Sequence, residues 1–222
     1  MNSGEFLTIG EAARTLEVSA RHARRLADSG AVTRVARGLI DRDSVDRYLH
    51  SHRRGRTRVW AQHTAWGAVA LLAGHDADWL GPTQASRLRQ TLRRTTEADE
   101  LLTRLCDRAR VHSFQAHRAA LPRLHELLTS SNLGRIGITD AVAEGVDGYL
   151  AETELSELVR ALGLRPDTSG PVTLRTTGFD FRQVRELVDT SVVAALDAGT
   201  STDPRVRGVG RALLGELLDA YR

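Results

Sequence analysis

Lysine is missing altogether from this 222-residue chain, and cysteine occurs once, at position 106. Without lysine, neither a P-loop ATPase nor a Schiff-base enzyme can be built. One cysteine allows no disulfide framework and no cysteine zinc cluster. The longest apolar run, Trp66–Gly74, is roughly half of the ~18-residue stretch that a membrane span needs. The opening MNSGEF lacks the basic and apolar segments of a secretory leader, so a cytoplasmic protein without membrane contact is expected. Other absences weaken the enzyme reading. No H-E-x-x-H and no histidine pair at i,i+4 occurs among the eight histidines. His63, His75, Asp76 and Asp78 form the nearest approach to a metal cluster, and surface histidines account for them more simply. Asp76-x-Asp78 resembles a nucleotidyltransferase carboxylate pair, yet no Gly-Ser dipeptide exists to hold a triphosphate. The glycine-rich run Gly208–Gly215 lacks dinucleotide-binding spacing. Cys106 sits where a buried helical position is expected, which favours packing over nucleophilic chemistry. A non-enzyme without cofactor or metal follows.

All 31 basic residues are therefore arginine, against 28 acids. Their placement is uneven. Residues 1–60 hold 12 arginines against 7 acids, whereas residues 129–222 hold 10 against 14. A basic N-terminal module joined to an acidic C-terminal one suits DNA binding coupled to a second interaction. The expected division is 1–58 and 59–222. The expected fold class is mainly α (α+β): an N-terminal winged helix-turn-helix, then a larger mostly helical domain with a few short strands.

In the first module, Thr8 followed by Glu11 spells a capping box. The helix after it turns Ile9, Ala12, Ala13 and Leu16 to one face. Glu17-Val18-Ser19 reads as a tight turn, with Ser19 capping a second helix that ends before Gly30. AVTRVARGLI reads as two short strands turning at Arg37-Gly38, and Asp43 as the cap of a third helix burying Val45 and Leu49. At 100° per residue, Ala23, Leu26 and Ala27 share one side of the second helix. Arg21 and Arg25 stand opposite, flanked by His22 and Arg24. A recognition helix needs this division, with small apolar residues inward and long donors reaching base edges or phosphates outward. Arg34 and Arg37 on the wing suit phosphate or minor-groove contact. Arg53, Arg54, Arg56 and Arg58 form a tail that can follow the backbone. The simpler reading is a solvated face with Arg24 and Asp28 paired at i,i+4.

The stretch LTIGEAARTLEVSARHARRLADSGAVTRVARGLIDRDSVDRYL resembles the helix-turn-helix of the MerR/excisionase superfamily. Shared features run from the apolar-Thr start through Glu-Ala-Ala, the Val-Ser turn, the Ser-Gly end and the short wing to an Asp-capped helix. The chain departs at Thr33, where proline is common, and at His22 and Arg24, where small or aromatic residues often sit. The resemblance implies sequence-specific binding of double-stranded operator DNA.

Beyond Val59 the pattern becomes helical. VWAQHTAWGAVALLAG reads as a buried helix, and Thr83 as the cap of TQASRLRQTLRR with Leu88 and Leu92 inward. EADELLTRLCDRA continues with Leu101, Leu102, Leu105 and Cys106. RVHSFQAH and PVTLRT read as strands, GRIGITD as a third, and ETELSELVRALGL as an amphipathic helix. FRQVRELVDTSVVAALDAG reads as one helix. In the last helix Val206, Val209, Leu213, Leu217 and Leu218 make an apolar stripe, for the chain's own core or for a homodimer seam.

VDGYLAETELSELVRALGL, PVTLR and VVAALDAGTSTDPRVRGVGRALLGELL resemble the C-terminal part of actinobacterial AbiEi-like antitoxins, which pair with nucleotidyltransferase-type toxins. That likeness implies an antitoxin that represses its own operon and counters a cognate toxin. The alternatives are a ligand-responsive repressor and an excisionase-like architectural DNA binder.

Overall fold

The structure is a computed structural model, and it describes residues 6–16, 18–28, 32–36, 38–42, 44–46, 48, 58–139 and 145–222. The chain divides into two compact units, Met1–Thr57 and Arg58–Arg222. It is mainly helical with small sheets. Among the described residues no helix is long and apolar enough to cross a membrane.

Unit 1 starts with strand β1 (Phe6–Thr8), which the pattern of apolar residues did not announce. Thr8 then caps helix α1 (Ile9–Thr15): its hydroxyl accepts from Glu11 N–H, and the Glu11 carboxylate accepts from Thr8 N–H at 2.8 Å. Satisfying two orphan donors reciprocally is what makes this start local and strong. The Thr8 donors hold the Glu11 carboxyl below its ordinary pKa. Helix α2 (Ala20–Asp28) buries Ala23, Leu26 and Ala27. Strands β2 (Arg34–Ala36) and β3 (Leu39–Asp41) form a hairpin around Gly38, whose φ of 84° is left-handed and open to glycine at no steric cost. The sheet order is β1-β3-β2, antiparallel throughout. Arg42, Ser44, Val45, Asp46 and Tyr48 are helical. Their cap is Asp41, which accepts from Ser44 N–H at 2.8 Å; the expected cap Asp43, and Leu49, lie outside the described residues. Leu7, Ala12, Ala13, Leu16, Val32, Ile40 and Val45 join the α2 residues in one core.

Unit 2 opens with α3 (Gln62–Leu72), buried continuously from Ala65 to Leu72. Helix α4 (Pro82–Arg94) follows Gly81, which replaces the expected Thr83 as N-cap, with Pro82 at the first helical position. Leu88 and Leu92 point inward. Helix α5 (Ala98–Arg104) buries Leu101 and Leu102, and a 3-10 turn over Cys106–Arg108 leads into strand β4 (Arg110–Gln115). Cys106 is exposed rather than buried. Partial desolvation and the adjacent Asp107 push its thiol up to about 11, so it stays protonated at neutral pH.

Helix α6 (Leu121–Leu127) comes next. GRIGITD does not form a strand: residues Leu133–Ile136 make a 3-10 turn closed by Gly137 in the left-handed region. The strand is instead β5 (Val146–Ala151), followed by α7 (Leu155–Ala161), the two-residue β6 (Arg165–Pro166) and β7 (Val172–Thr177). Sheet order is β5-β7-β4-β6, with β5 and β7 parallel and the other pairs antiparallel. Alternation along β5 and β7 divides their side chains between two cores. Val146, Leu150, Val172 and Leu174 face α6 and α7, while Tyr149 joins the core of α3 and the later helices.

The expected single helix over residues 181–199 is two, α8 (Phe181–Val188) and α9 (Ser191–Gly199), because Thr190 caps afresh by accepting from Val193 N–H. Helix α10 (Pro204–Tyr221) buries Gly210, Leu214 and Leu218. The apolar stripe is thus rotated from expectation, and Val209 is exposed. Gly210 is required by close approach to α9: a Cβ there would lie 2.3 Å from the Gly199 nitrogen.

Candidate nucleic-acid interface

Helix α2 presents its basic face because its other face is committed. Ala23 is fully buried, and Leu26 and Ala27 lie in the same core. With those positions inward, helical spacing sends Arg21, Arg24 and Arg25 into solvent, and all three are exposed. Ser19 stands at the helix start with its hydroxyl accepting from His22 N–H at 3.2 Å. His22 is half-buried, and its Nδ1 lies 3.1 Å from the Arg25 guanidinium. This contact turns Arg25 along the helix toward His22. Ser19, Arg21, His22 and Arg25 together wall a cleft of about 230 Å³. Donors therefore converge on one end of α2, the N-terminal end, where the helix dipole adds positive potential.

Arg24 does not pair with Asp28. Asp28 binds Arg34 instead, tying the end of α2 to the start of the hairpin. The tie holds part of the Arg34 guanidinium away from an external phosphate and fixes the hairpin relative to α2. Sequence spacing missed it, because the two residues lie on different elements. The hairpin carries a second unannounced feature. Among the described residues of unit 1, Phe6, Val35 and Leu39 are the exposed large hydrophobics. All three belong to the small sheet, whose inward positions are taken by Leu7 and Ile40. Arg58 is exposed at the first position of unit 2. Arg37, Arg53, Arg54 and Arg56 lie outside the described residues.

Unit 2 gathers charge inward. The Asp197 carboxylate accepts from Arg108 Nη2 and from the Tyr149 hydroxyl, each at 2.7 Å, and stands 3.4 Å from Arg175 Nη1. Arg175 also makes a two-point contact with Asp147, both bonds at 2.7 Å. The parallel register pairs Tyr149 with Arg175, and the Arg175 guanidinium lies 5.9 Å over the Tyr149 ring. The Trp66 indole donates to the Arg108 carbonyl at 3.0 Å. Burial opposes ionisation of Asp197, but Arg175 and Arg108 outweigh it and hold the carboxyl below its ordinary range. Burial also raises the Tyr149 hydroxyl, so it remains a donor. Two arginines and two carboxylates balance, and the cluster braces the core by tying β5, β7 and the turn before β4 to α9.

Of the histidine and aspartate cluster suggested by spacing, His75, Asp76 and Asp78 are exposed and His63 is bound to its neighbours. The His63 ring meets Gln84 Nε2 at 3.0 Å, and its carbonyl accepts from the Trp79 indole at 2.9 Å. Among the described residues no group of three or more His, Cys, Asp or Glu side chains is placed to hold a metal ion. Compared with known proteins, the chain matches no family model, no curated protein and no solved structure.

Proposed function

We propose that the chain is a sequence-specific regulator that binds double-stranded operator DNA through unit 1, with no catalytic step and no cofactor. In this reading unit 1 is a winged helix-turn-helix: α2 enters the major groove and the β2–β3 hairpin is the wing. The observation that carries it is the division of α2, with Ala23, Leu26 and Ala27 in the core and Arg21, Arg24 and Arg25 all exposed. Arg21 in the first turn of α2, and Arg25, which reaches back from the last turn toward His22, read guanine edges, for which a bidentate guanidinium is the best donor. Arg24 and Ser19 hold the flanking phosphates. Arg34, anchored by Asp28, sets the angle of the wing more than it supplies charge. Val35 beside it is exposed and apolar, of the type that meets the sugar edges of a minor groove. Cys106, whose thiol is held protonated, has no nucleophilic task.

Unit 2 then serves a partner. The resemblance of residues 60–222 to AbiEi-like antitoxins supports a toxin as that partner. Capture of the native complex, with sequencing of the bound DNA and identification of co-purifying protein, tests both parts. Recovery of one recurrent duplex sequence supports the reading for unit 1. Recovery of random DNA, unchanged by Arg21→Ala and Arg25→Ala, overturns it.

A further inference from the structure

Helix α4 has a composition that its packing does not explain. Leu88 and Leu92 anchor it, yet it also carries Arg87, Arg89, Arg93 and Arg94 with no acid anywhere along its length. Among the described residues none of these four arginines takes part in an ion pair. Like charges collected on one helix cost stability, so an unneutralised set points to an external anion. The arginines divide into two pairs. Arg89 and Arg93 act on the Tyr221 hydroxyl. Arg87 and Arg94, seven residues apart, share the face of Thr91.

That face borders a groove of about 410 Å³, lined by Trp60, Thr64, Thr83, Gln84, Arg87, Leu88 and Thr91. Trp60 is half-buried and held in place from two sides. Its backbone N–H donates to the Arg104 carbonyl at 2.9 Å, and the Arg104 guanidinium stacks 5.4 Å from the ring centre. Gln84 and Thr64 are bonded to each other at 2.9 Å, making a fixed polar wall. The first turn of α4 has no side-chain cap, so the amides of its opening residues add donors at the same end.

We propose that this groove binds a single strand of nucleic acid, with phosphates along Arg87 and Arg94 and an unstacked base against Trp60. An aromatic ring lining the same groove as an unpaired arginine, here Trp60 and Arg87, is the combination that single strands use, stacking on the ring and neutralising the backbone. Arg87 and Arg94 are about 10 Å apart along the helix, farther than one phosphate reaches, which favours a strand over a mononucleotide. A duplex does not fit, because its bases are stacked away from such a ring. The inference is independent of the duplex reading proposed for unit 1.

The test is fluorescence anisotropy of a labelled oligothymidylate of about twelve nucleotides, titrated with the full chain. Arg87→Glu combined with Arg94→Glu is expected to weaken binding ten-fold or more. Arg87→Lys with Arg94→Lys is expected to retain most of it, and Trp60→Leu to lose at least five-fold. Arg123→Ala with Arg182→Ala, exposed elsewhere on unit 2, should change it less than two-fold. The proposal is overturned if the double glutamate variant, folded by circular dichroism, binds as the parent does. It is equally overturned if thymidine monophosphate competes as well as the strand, which assigns a mononucleotide site. Competition by polyglutamate at equal charge concentration overturns it in favour of an acidic protein.

Discussion

In unit 1 the arginines of α2 stand in solvent and bind no described carboxylate, while in unit 2 Arg108 and Arg175 are sealed beside Asp197 with every charge answered. The same side chain does opposite work in the two places. Exposed and unanswered, a guanidinium keeps its hydration and its charge for an external anion. Buried and answered, its charge is spent internally, and what it contributes is a unique arrangement of the elements around it. The contrast explains why the count of arginines says little about function and their partners say much.

The sharpest way to break the comparison is Asp197→Asn. It leaves Arg108 and Arg175 buried without their shared counter-ion, and should cost unit 2 about 3–5 kcal/mol. Denaturant unfolding monitored by tryptophan fluorescence measures it, since all three tryptophans lie in unit 2. A loss below about 1 kcal/mol removes the idea of a charge brace. The pH dependence should agree in sign. A carboxyl held below its unfolded value stabilises at pH above about 3.9 and loses that contribution as pH falls through the lower folded value. Unit 2 is therefore expected to keep the brace at pH 5 and to lose it only in stronger acid, a course that Asp197→Asn abolishes.

On the exposed side, Arg21→Ala and Arg25→Ala should each cost about 1–3 kcal/mol in operator binding and relax base preference. Their thermal stability should stay within about 0.5 kcal/mol of the parent, so binding and folding separate there as they cannot at Asp197. Thr8→Ala removes the capping box and should destabilise unit 1 by about 1 kcal/mol, read by its amide exchange. Arg34→Ala comes last. Its ion pair with Asp28 is largely solvated, and such pairs contribute about 0–1 kcal/mol. An operator-binding loss larger than that of Arg21→Ala would make Arg34 a base reader and not a strut.

Legibility in the sequence followed the range of the interaction. The Thr8–Glu11 box, the inward Ala23, Leu26 and Ala27 and the turn at Gly38 all rest on neighbours within a few residues, and pattern alone announced them. Strand β5 escaped notice because Asp147 and Gly148 interrupt its apolar run, and it is a strand only by pairing with β7, 26 positions away. The 181–199 segment was read as one helix because its apolar spacing continues past Thr190. The break there is a local cap that competed successfully with the periodicity. Cys106 was placed inside by helical spacing, but the helix ends at Arg104 and the 3-10 turn rotates the thiol outward. At the candidate interface, the exposure of Arg21, Arg24 and Arg25 was readable from the helix period. The capture of Arg34 by Asp28 was not.

The sequence by itself determined the first two helices of unit 1 and the sides of α2, because period and capping act over one or two helical turns. It also determined that arginine would carry every positive charge. Only the tertiary structure decided which arginines are spent. Arg108 lies 89 residues from Asp197, and nothing in its neighbourhood separates it from Arg87, which stays exposed beside a groove. The physical reason is that a charge enters a core only where its counter-charge is already waiting. That meeting is arranged by the pairing of distant strands and helices, not by the residues on either side.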